Sequence, residues 1–305
     1  MGATGMTKKS KGLWMAIIGA SFWGGSGAAA QYLFANTSMT AIWLVTVRLL
    51  FGGGIMLLIG LARHRDQIKA ILSNKRDIAI LVIFAFLGNF NSQLTYMLAV
   101  QASNASTATV IQYLSPVLII LWLAFRNREW PRRIDVISII FALVGTFLLV
   151  TGGRLDALTI TPNALMWGSS AALAASIYTL APRSLLARYD TITVCGMAMF
   201  LGGLCISPNL FLTPVPHFTG LEWLDLIYIV VFGTMMAYTF FLGSVKYISP
   251  ALTGMLSAFE PLVATFLTVT LLGTKLTSIT LLGSFLIIFG ILIESIPFKR
   301  IKIHH

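Results

Sequence analysis

The stretch that decides the fold is residues 86–116, FLGNFNSQLTYMLAVQASNASTATVIQYLSP, because the chain repeats its pattern in residues 231–261, VFGTMMAYTFFLGSVKYISPALTGMLSAFEP. The alignment has no gap, and it superimposes three pairs of landmark residues: Gly88 on Gly233, Pro116 on Pro261, and Gly145 on Gly290. Both copies read as consecutive apolar segments. An internal repeat built from such segments is typical of secondary transporters.

The composition indicates a chain that lives in a lipid bilayer. Of its 305 residues 57% are hydrophobic and only 10% are charged, with a mean hydropathy of +0.87. Long apolar runs argue against a transmembrane β-barrel, whose strands alternate polar and apolar residues. We therefore predict an all-α polytopic membrane protein with ten transmembrane helices, at Leu13–Phe34, Thr40–Ala62, Asp77–Val100, Ser103–Phe125, Ile134–Thr151, Thr161–Leu180, Ile192–Phe211, Leu224–Val245, Ala251–Leu272 and Thr277–Ile296.

Five predicted helices fall in each copy of the repeat. The first repeat covers residues 13–151 and the second covers 161–296, with tails at 1–12 and 297–305. Because five is an odd number, the second copy enters the membrane from the opposite side. The sequence therefore predicts two inverted five-helix repeats.

The positive charges predict the orientation. The chain has 21 Lys and Arg residues and a net charge of +11. Sorted by predicted loop, 18 of them lie on one side of the membrane; the other side has Arg154 and Lys275, and Arg48 lies within a span. The positive-inside rule places the basic side, with both tails, in the cytoplasm. This placement disfavours a nucleic-acid partner and predicts a multi-pass protein of the cell (inner) membrane.

Polar residues in the spans mark a candidate cavity. Asn89, Gln93 and Tyr96 share one helix face, and Gln112 and Tyr113 share another with Thr109. Trp23 in span 1 and Tyr178 in span 6 are further wall candidates. The alternative is hydrogen bonding between helices, which contributes about 0.6 kcal/mol per bond. For the whole Asn–Gln–Tyr stripe we favour a hydrated cavity.

Two ionisable residues lie deep in spans. Glu260 precedes Pro261, which lacks a backbone donor and is expected to free a carbonyl one turn back. Burial favours the protonated form of a carboxyl group, so Glu260 is a candidate proton-coupling site; it is also a candidate partner for a cationic substrate. The alternative is a structural Arg48–Glu260 ion pair. For Arg48 we expect a structural role.

Glycines suggest close helix packing. Gly24 and Gly25 either let helices approach or loosen span 1 for gating, and packing is the commoner reason. Gly283 and Gly290 lie seven residues apart on span 10, which leaves a homodimer face open as a hypothesis.

These features together resemble a known family. The paired five-helix halves, the Ser115-Pro116 and Glu260-Pro261 steps, Arg48, and the glycines at 145 and 290 are similar to the EamA-type transporters of the drug/metabolite transporter superfamily. The resemblance covers essentially the whole chain. It implies ten helices, an inverted repeat, a central cavity lined mainly by helices 1, 3, 4, 6, 8 and 9, and export of amino acids, among them aromatic ones, or of other small metabolites.

The resemblance also implies a set of substrate-binding residues, which are Trp23, Asn89, Gln93, Gln112, Tyr113, Tyr178, Tyr238 and Glu260. The chain departs from the family after the fourth helix of each half, where a Gly-Glu pair is common. Here the two positions read Arg128-Glu129 and Gly273-Thr274. These are loop positions, so they leave the expected fold unchanged.

Other function classes fit the sequence less well. Gly24-Gly25-Ser26-Gly27 matches the motif of rhomboid-type intramembrane serine proteases, but the four histidines lie in loops or the tail, so the general base is missing. No phosphate-binding loop of an ATPase occurs. A channel remains the second alternative. We expect a secondary active transporter that works by alternating access as an exporter, with the bilayer, a small-molecule substrate and protons as partners, and with no enzymatic activity, cofactor or metal.

Overall fold

The structure is a computed structural model that describes residues 7–103, 105–158, 161–213, 215–272 and 277–295. Within these ranges the regular structure is helical, with no strand. We number ten main helices: α1 (Lys8–Asn36), α2 (Ala41–Arg63), α3 (Lys75–Val82, Ile83–Phe90 and Asn91–Ala102), α4 (Ala105–Gln112 and Ser115–Asn127), α5 (Arg133–Thr151), α6 (Pro162–Leu180), α7 (Thr191–Ile206), α8 (Gly220–Ser244), α9 (Pro250–Leu256 and Phe259–Leu272) and α10 (Ser278–Ser295). The predicted tail 297–305 and the Gly273-Thr274 departure lie outside the described residues.

The helices confirm an all-α membrane fold, but they support the number of spans only in part. Seven helices, α2 to α6, α8 and α9, are long and apolar enough to cross a membrane by length and composition. Helices α7 and α10 are apolar but shorter, and α1, with 29 residues, is not among the seven. The count of ten spans and the inverted topology stay predictions.

Several helices begin at residues that favour a helix start. Thr161 and Ser249 each precede a proline, and their hydroxyls accept the backbone N–H of Ala164 at 3.1 Å and of Leu252 at 3.2 Å. Proline is well tolerated at the first helical position, where its missing N–H has no partner to lose. These caps fix where α6 and α9 start, and therefore which of their residues reach the centre of the bundle.

The third and fourth helices of the two repeats are irregular at matching places. Helix α3 is a π-helix over Ile83–Phe90 and α8 over Val231–Met236, segments that contain the paired Gly88 and Gly233. Helix α4 is interrupted at residues 113–114 and α9 at 257–258, just before the paired prolines. A proline cannot donate the hydrogen bond that would continue the helix. Helix α2 has a third π-segment, which starts at Arg48.

The packing of the helices follows the repeat. Helix α1 packs on α8 and α9. Its counterpart in the second repeat, α6, packs in the same way on α3 and α4. The second helix of each repeat packs on its counterpart, α2 on α7, and the fifth helices pair as α5 on α10. The central residues of the bundle therefore come from both repeats.

The glycines of α10 are used inside the chain. A Cβ atom at Gly283 would lie 2.8 Å from the Gly145 carbonyl oxygen, and one at Gly290 would lie 2.7 Å from the Ser138 carbonyl oxygen. Both glycines thus let α10 lie against α5. The homodimer hypothesis loses the feature on which it was based.

Candidate functional site

A polar cavity of about 160 Å³ lies at the centre of the bundle, between the two repeats. Its walls come from α1 to α4 in the first repeat and from α6, α8 and α9 in the second. The lining residues are Trp23, Ser26, Gly27, Ala30, Arg48, Ser92, Gln93, Tyr96, Met97, Gln112, Tyr113, Ser115, Ala175, Tyr178, Tyr238, Ser257 and Glu260.

The structure brings seven of the eight predicted site residues to this cavity, namely Trp23, Gln93, Gln112, Tyr113, Tyr178, Tyr238 and Glu260. Asn89 is the exception, because it is fully buried behind the wall. Its Oδ1 accepts a hydrogen bond from Nε2 of Gln93 at 3.3 Å. Asn89 therefore supports a wall residue and does not line the cavity itself. Whether these residues bind a substrate stays a prediction.

Three aromatic rings from three helices form one side of the cavity. The Trp23 ring centroid lies 5.0 Å from that of Tyr238 and 6.4 Å from that of Tyr178, while the two tyrosine rings are 6.0 Å apart. The contacts are edge-to-face, a favourable geometry for aromatic pairs. These mutual contacts hold the rings in place and offer a ligand an apolar surface.

Another part of the cavity wall carries amides and hydroxyls from α3 and α4. Nε2 of Gln112 lies 3.5 Å from Oγ of Ser92, at the outer limit for a hydrogen bond, and the hydroxyls of Tyr96 and Thr109 are 3.0 Å apart. The two helices are therefore linked by side chains, and three of these, Ser92, Tyr96 and Gln112, also line the cavity. The Asn–Gln–Tyr stripe thus contributes both to the packing and to a polar cavity wall.

Arg48 is a cavity residue that the sequence reasoning assigned to a structural role. Its Nε donates to Oγ1 of Thr234 at 2.9 Å, and its Nη2 donates to the carbonyl oxygen of Gly233 at 3.1 Å. Both acceptors lie in the π-segment of α8, where the helix leaves backbone groups accessible. The sequence signal that could have found Arg48 is its charge in an otherwise apolar span.

Glu260 also lines the cavity, but it does not pair with Arg48. No nitrogen of Arg48 lies within 4.0 Å of a Glu260 carboxylate oxygen, so the alternative of a structural ion pair does not hold in this conformation. The two charges share one cavity with a gap between them. The carbonyl that Pro261 was expected to free, that of Ser257, accepts the backbone N–H of Glu260 at 2.9 Å.

The glycines of α1 serve close packing. A Cβ atom at Gly24 would collide with the carbonyl oxygen of Glu260, and one at Gly25 would collide with the hydroxyl of Tyr228. Small residues at these points let α1 lie directly against α8 and α9. Ser26 contacts Gly233 in the same way, so the serine of the protease-like motif sits in a helix contact.

A polar contact joins the two repeats at one end of the bundle. We call this end, where α2 ends at Arg63 and α3 begins at Lys75, the basic end. Here Nη1 and Nη2 of Arg188 donate to the Asp77 carboxylate at 3.0 and 2.5 Å. The hydroxyl of Tyr189 donates to Asp77 at 2.9 Å, and Nζ of Lys246 donates to the Tyr189 carbonyl at 3.2 Å.

We call Asp77, Arg188, Tyr189 and Lys246 the clasp. The Asp77 side chain is completely buried, whereas 47% of the Arg188 side chain is exposed. The hydrogen bond to Asp77, together with burial, raises the pKa of Tyr189 above its usual value. Neither the sequence pattern nor the repeat predicts the clasp. In the sequence, Asp77 is a single acidic residue next to basic residues at the start of a span, and nothing there indicates its partner.

Apolar helices around a polar, charged cavity built from two repeats are typical of a multi-pass membrane transport protein. The chain belongs to the EamA-like transporter family, whose model matches residues 10–151 and again 162–296. This confirms the resemblance to EamA-type transporters of the drug/metabolite transporter superfamily, and it means that the protein is a membrane transporter and not an enzyme.

Individual relatives agree with the family assignment. The chain is 37% identical over 297 residues to the uncharacterized inner membrane transporter YicL of Salmonella typhimurium, covering 97% of this chain and 98% of the relative. It is 28% identical over 230 residues to the aromatic amino acid exporter YddG of Ancylobacter novellus, covering 74% and 77%. One solved structure has the same fold, with a TM-score of 0.77 at 22% identity, covering 94% of this chain and 96% of that one.

Proposed function

We propose that this transporter is a secondary carrier that exports amino acids or related small metabolites across the cytoplasmic membrane by alternating access. The observation that carries the proposal is the position of the cavity, whose walls come from both repeats. A site between two repeats can be exposed to either side when one repeat rocks against the other. The names of two relatives, an inner membrane transporter and an aromatic amino acid exporter, support the location and the substrate class.

The basic end faces the cytoplasm in this proposal, as the distribution of Lys and Arg predicts. Both tails then lie inside the cell. The cavity residues of α1 and α3, at 23–30 and 92–97, lie well away from the basic end of their helices. The clasp closes the path from the cavity to the cytoplasm, and opening toward the cytoplasm requires the contact between Asp77 and Arg188 to break.

Glu260 is the proposed coupling site. A carboxyl group in a desolvated cavity can bind a proton, or in its charged form it can bind a cationic group of the substrate. Because the two occupants exclude each other, one carboxylate can link the movement of substrate in one direction to the movement of protons in the other. The support is the position of Glu260 on the cavity wall, where it forms no ion pair with any residue that the structure describes.

The test is counterflow in proteoliposomes with a panel of labelled amino acids, with and without an imposed pH gradient. Uptake of one or more amino acids that depends on the same compound inside the vesicles, and that the gradient alters, supports a proton-linked amino-acid carrier. Uptake that does not depend on internal substrate contradicts a carrier and favours a channel. If a pH gradient does not change the counterflow, transport is not coupled to protons, and Glu260 is not a proton-coupling site.

A further inference from the structure

We propose that Arg48 and Glu260 together select a zwitterion, with Arg48 binding a carboxylate and Glu260 binding an ammonium group of the same small molecule. The inference rests on the proposed function and specifies its substrate: a single free amino acid, and not an amine or an organic acid. It assigns to Arg48 the role of an anion-binding residue in the cavity.

The hydrogen bonds of Arg48 leave part of its guanidinium group for a ligand. The group carries five N–H donors in a planar fork. One edge, Nε and Nη2, is bound to Thr234 and Gly233 of α8. Nη1 makes no hydrogen bond to any residue that the structure describes, and Arg48 lines the cavity. The other edge, Nη1 and Nη2, is therefore held in position with N–H groups that can receive a carboxylate in bidentate geometry.

Glu260 is similarly incomplete. Among the described residues no side chain donates a hydrogen bond to its carboxylate, and none forms an ion pair with it. Its backbone is held firmly, because it lies at the start of the Phe259–Leu272 segment and packs against Gly24 of α1. The carboxylate thus lies at a fixed place on the wall, and no side chain in the described part of the chain pairs with it.

The two charges explain why one zwitterion fits better than a singly charged molecule. They share one cavity, yet their charged atoms are more than 4.0 Å apart. A charge removed from water is costly unless it is paired. An amino acid carries both partners on one carbon atom and so offers each of the two protein charges a group of opposite sign. An amine or an acid of the same shape leaves one of the two protein charges unpaired.

The size of the cavity sets an upper limit to the substrate. A volume of about 160 Å³ is close to that of an engineered cavity of about 150 Å³ that binds benzene. Drug-sized ligands occupy pockets of about 300–1,000 Å³. The space therefore fits one amino acid, whose side chain can lie against the rings of Trp23, Tyr178 and Tyr238.

The test measures binding apart from transport, by isothermal titration of the full chain in lipid nanodiscs. The probes are L-phenylalanine, 2-phenylethylamine and 3-phenylpropionate, and as a second set L-leucine, 3-methylbutylamine and 4-methylpentanoate. Within at least one set, we expect the amino acid to bind about tenfold or more tightly than either analogue, the size expected for a charge-assisted hydrogen bond. Equal binding of the amine or the acid, or no binding of either amino acid, overturns the inference.

Two cavity variants and one control assign the charges. Arg48→Gln should weaken amino-acid binding about tenfold or more while leaving amine binding unchanged, and Glu260→Gln should weaken it while leaving acid binding unchanged. Arg48→Lys keeps the positive charge but lacks the planar fork, so its affinity for the amino acid should lie between those of the wild type and Arg48→Gln. This variant keeps the test valid if Arg48→Gln does not fold. Arg63→Gln, an exposed site on the same helix as Arg48, should bind like the wild type. Loss of all three ligands together in a folded Arg48→Gln protein contradicts the assignment.

The outcome for this inference can be separated from that for the proposed function. Selective binding of the amino acid without counterflow would support the zwitterion site and contradict the proposal that the protein is a carrier. Counterflow of an amine, a sugar or an organic acid, with no binding of the two amino acids, would keep the carrier and overturn the zwitterion site.

Discussion

Two places in the molecule bring an arginine of one repeat near a carboxylate of the other, and only one of them forms an ion pair. In the clasp, Arg188 of the second repeat holds Asp77 of the first through two hydrogen bonds. In the cavity, Arg48 of the first repeat and Glu260 of the second stay more than 4.0 Å apart. The clasp charges satisfy each other, whereas the two cavity charges do not pair, which is the basis of the proposal that they pair with a ligand.

The largest effect should come from Glu260→Gln, which removes the charge without changing the shape. We expect transport driven by a pH gradient to be abolished, because the amide cannot exchange a proton, while the protein stays folded. Gradient-driven uptake in proteoliposomes and the melting temperature measure the two effects. Wild-type dependence on the gradient in this variant would remove Glu260 as the coupling site.

Asp77→Asn should lower the stability of the protein and leave substrate binding nearly unchanged. The amide cannot accept the paired hydrogen bonds of Arg188 as strongly as the carboxylate does, so the melting temperature should fall by a few degrees. Binding of the transported amino acid, measured by titration, should change little because Asp77 does not line the cavity. A variant as stable as the wild type would mean that the clasp contributes nothing to closing the basic end.

Gln93→Ala and Gln112→Ala should have smaller effects, since each removes one neutral hydrogen-bonding group from the cavity wall. We expect substrate binding to weaken by about 2- to 10-fold in each variant, the range for a neutral hydrogen bond. The melting temperature should change less than the affinity does. An equal loss of stability and affinity would favour a packing role for the amide stripe.

The smallest effect should come from Arg154→Gln. Arg154 pairs with Asp156, but the two side chains are 73% and 67% exposed, and such exposed pairs contribute little. We expect wild-type stability and wild-type transport. A clear fall in melting temperature would show that exposure does not separate this pair from the clasp, and it would weaken the comparison on which the other predictions depend.

Much of the fold could be predicted from the sequence, because the length of apolar runs and the repeat are signals that lie in the chain itself. The predicted span Ala251–Leu272 differs from α9 by one residue at its start, and the paired prolines mark the two broken helices. The three π-segments could not be predicted, because apolar run length and residue spacing do not distinguish a short π-helix from an α-helix.

The sequence predicts some residues of the candidate site better than others. Helix spacing, which places residues on a common face, predicts the wall residues Gln93, Gln112 and Tyr113, whereas Tyr238 is implied only by the family resemblance. Asn89 lies one layer farther from the cavity than predicted, because spacing does not tell which neighbour a face meets. Arg48 makes the contacts expected of a structural residue and lines the cavity as well, which its apolar span did not predict. The clasp joins residues 111 positions apart, Asp77 and Arg188, and no local pattern connects them.

The most direct test of the central claim is the lumen pH of proteoliposomes that contain a pH-sensitive dye and receive an external pulse of the amino acid that counterflow identifies. The account predicts that substrate entry makes the lumen more alkaline in the wild type and in Asp77→Asn, because protons leave as substrate enters, and leaves the lumen pH unchanged in Glu260→Gln. The same alkalinisation in Glu260→Gln, or none in the wild type while labelled substrate enters, would contradict it.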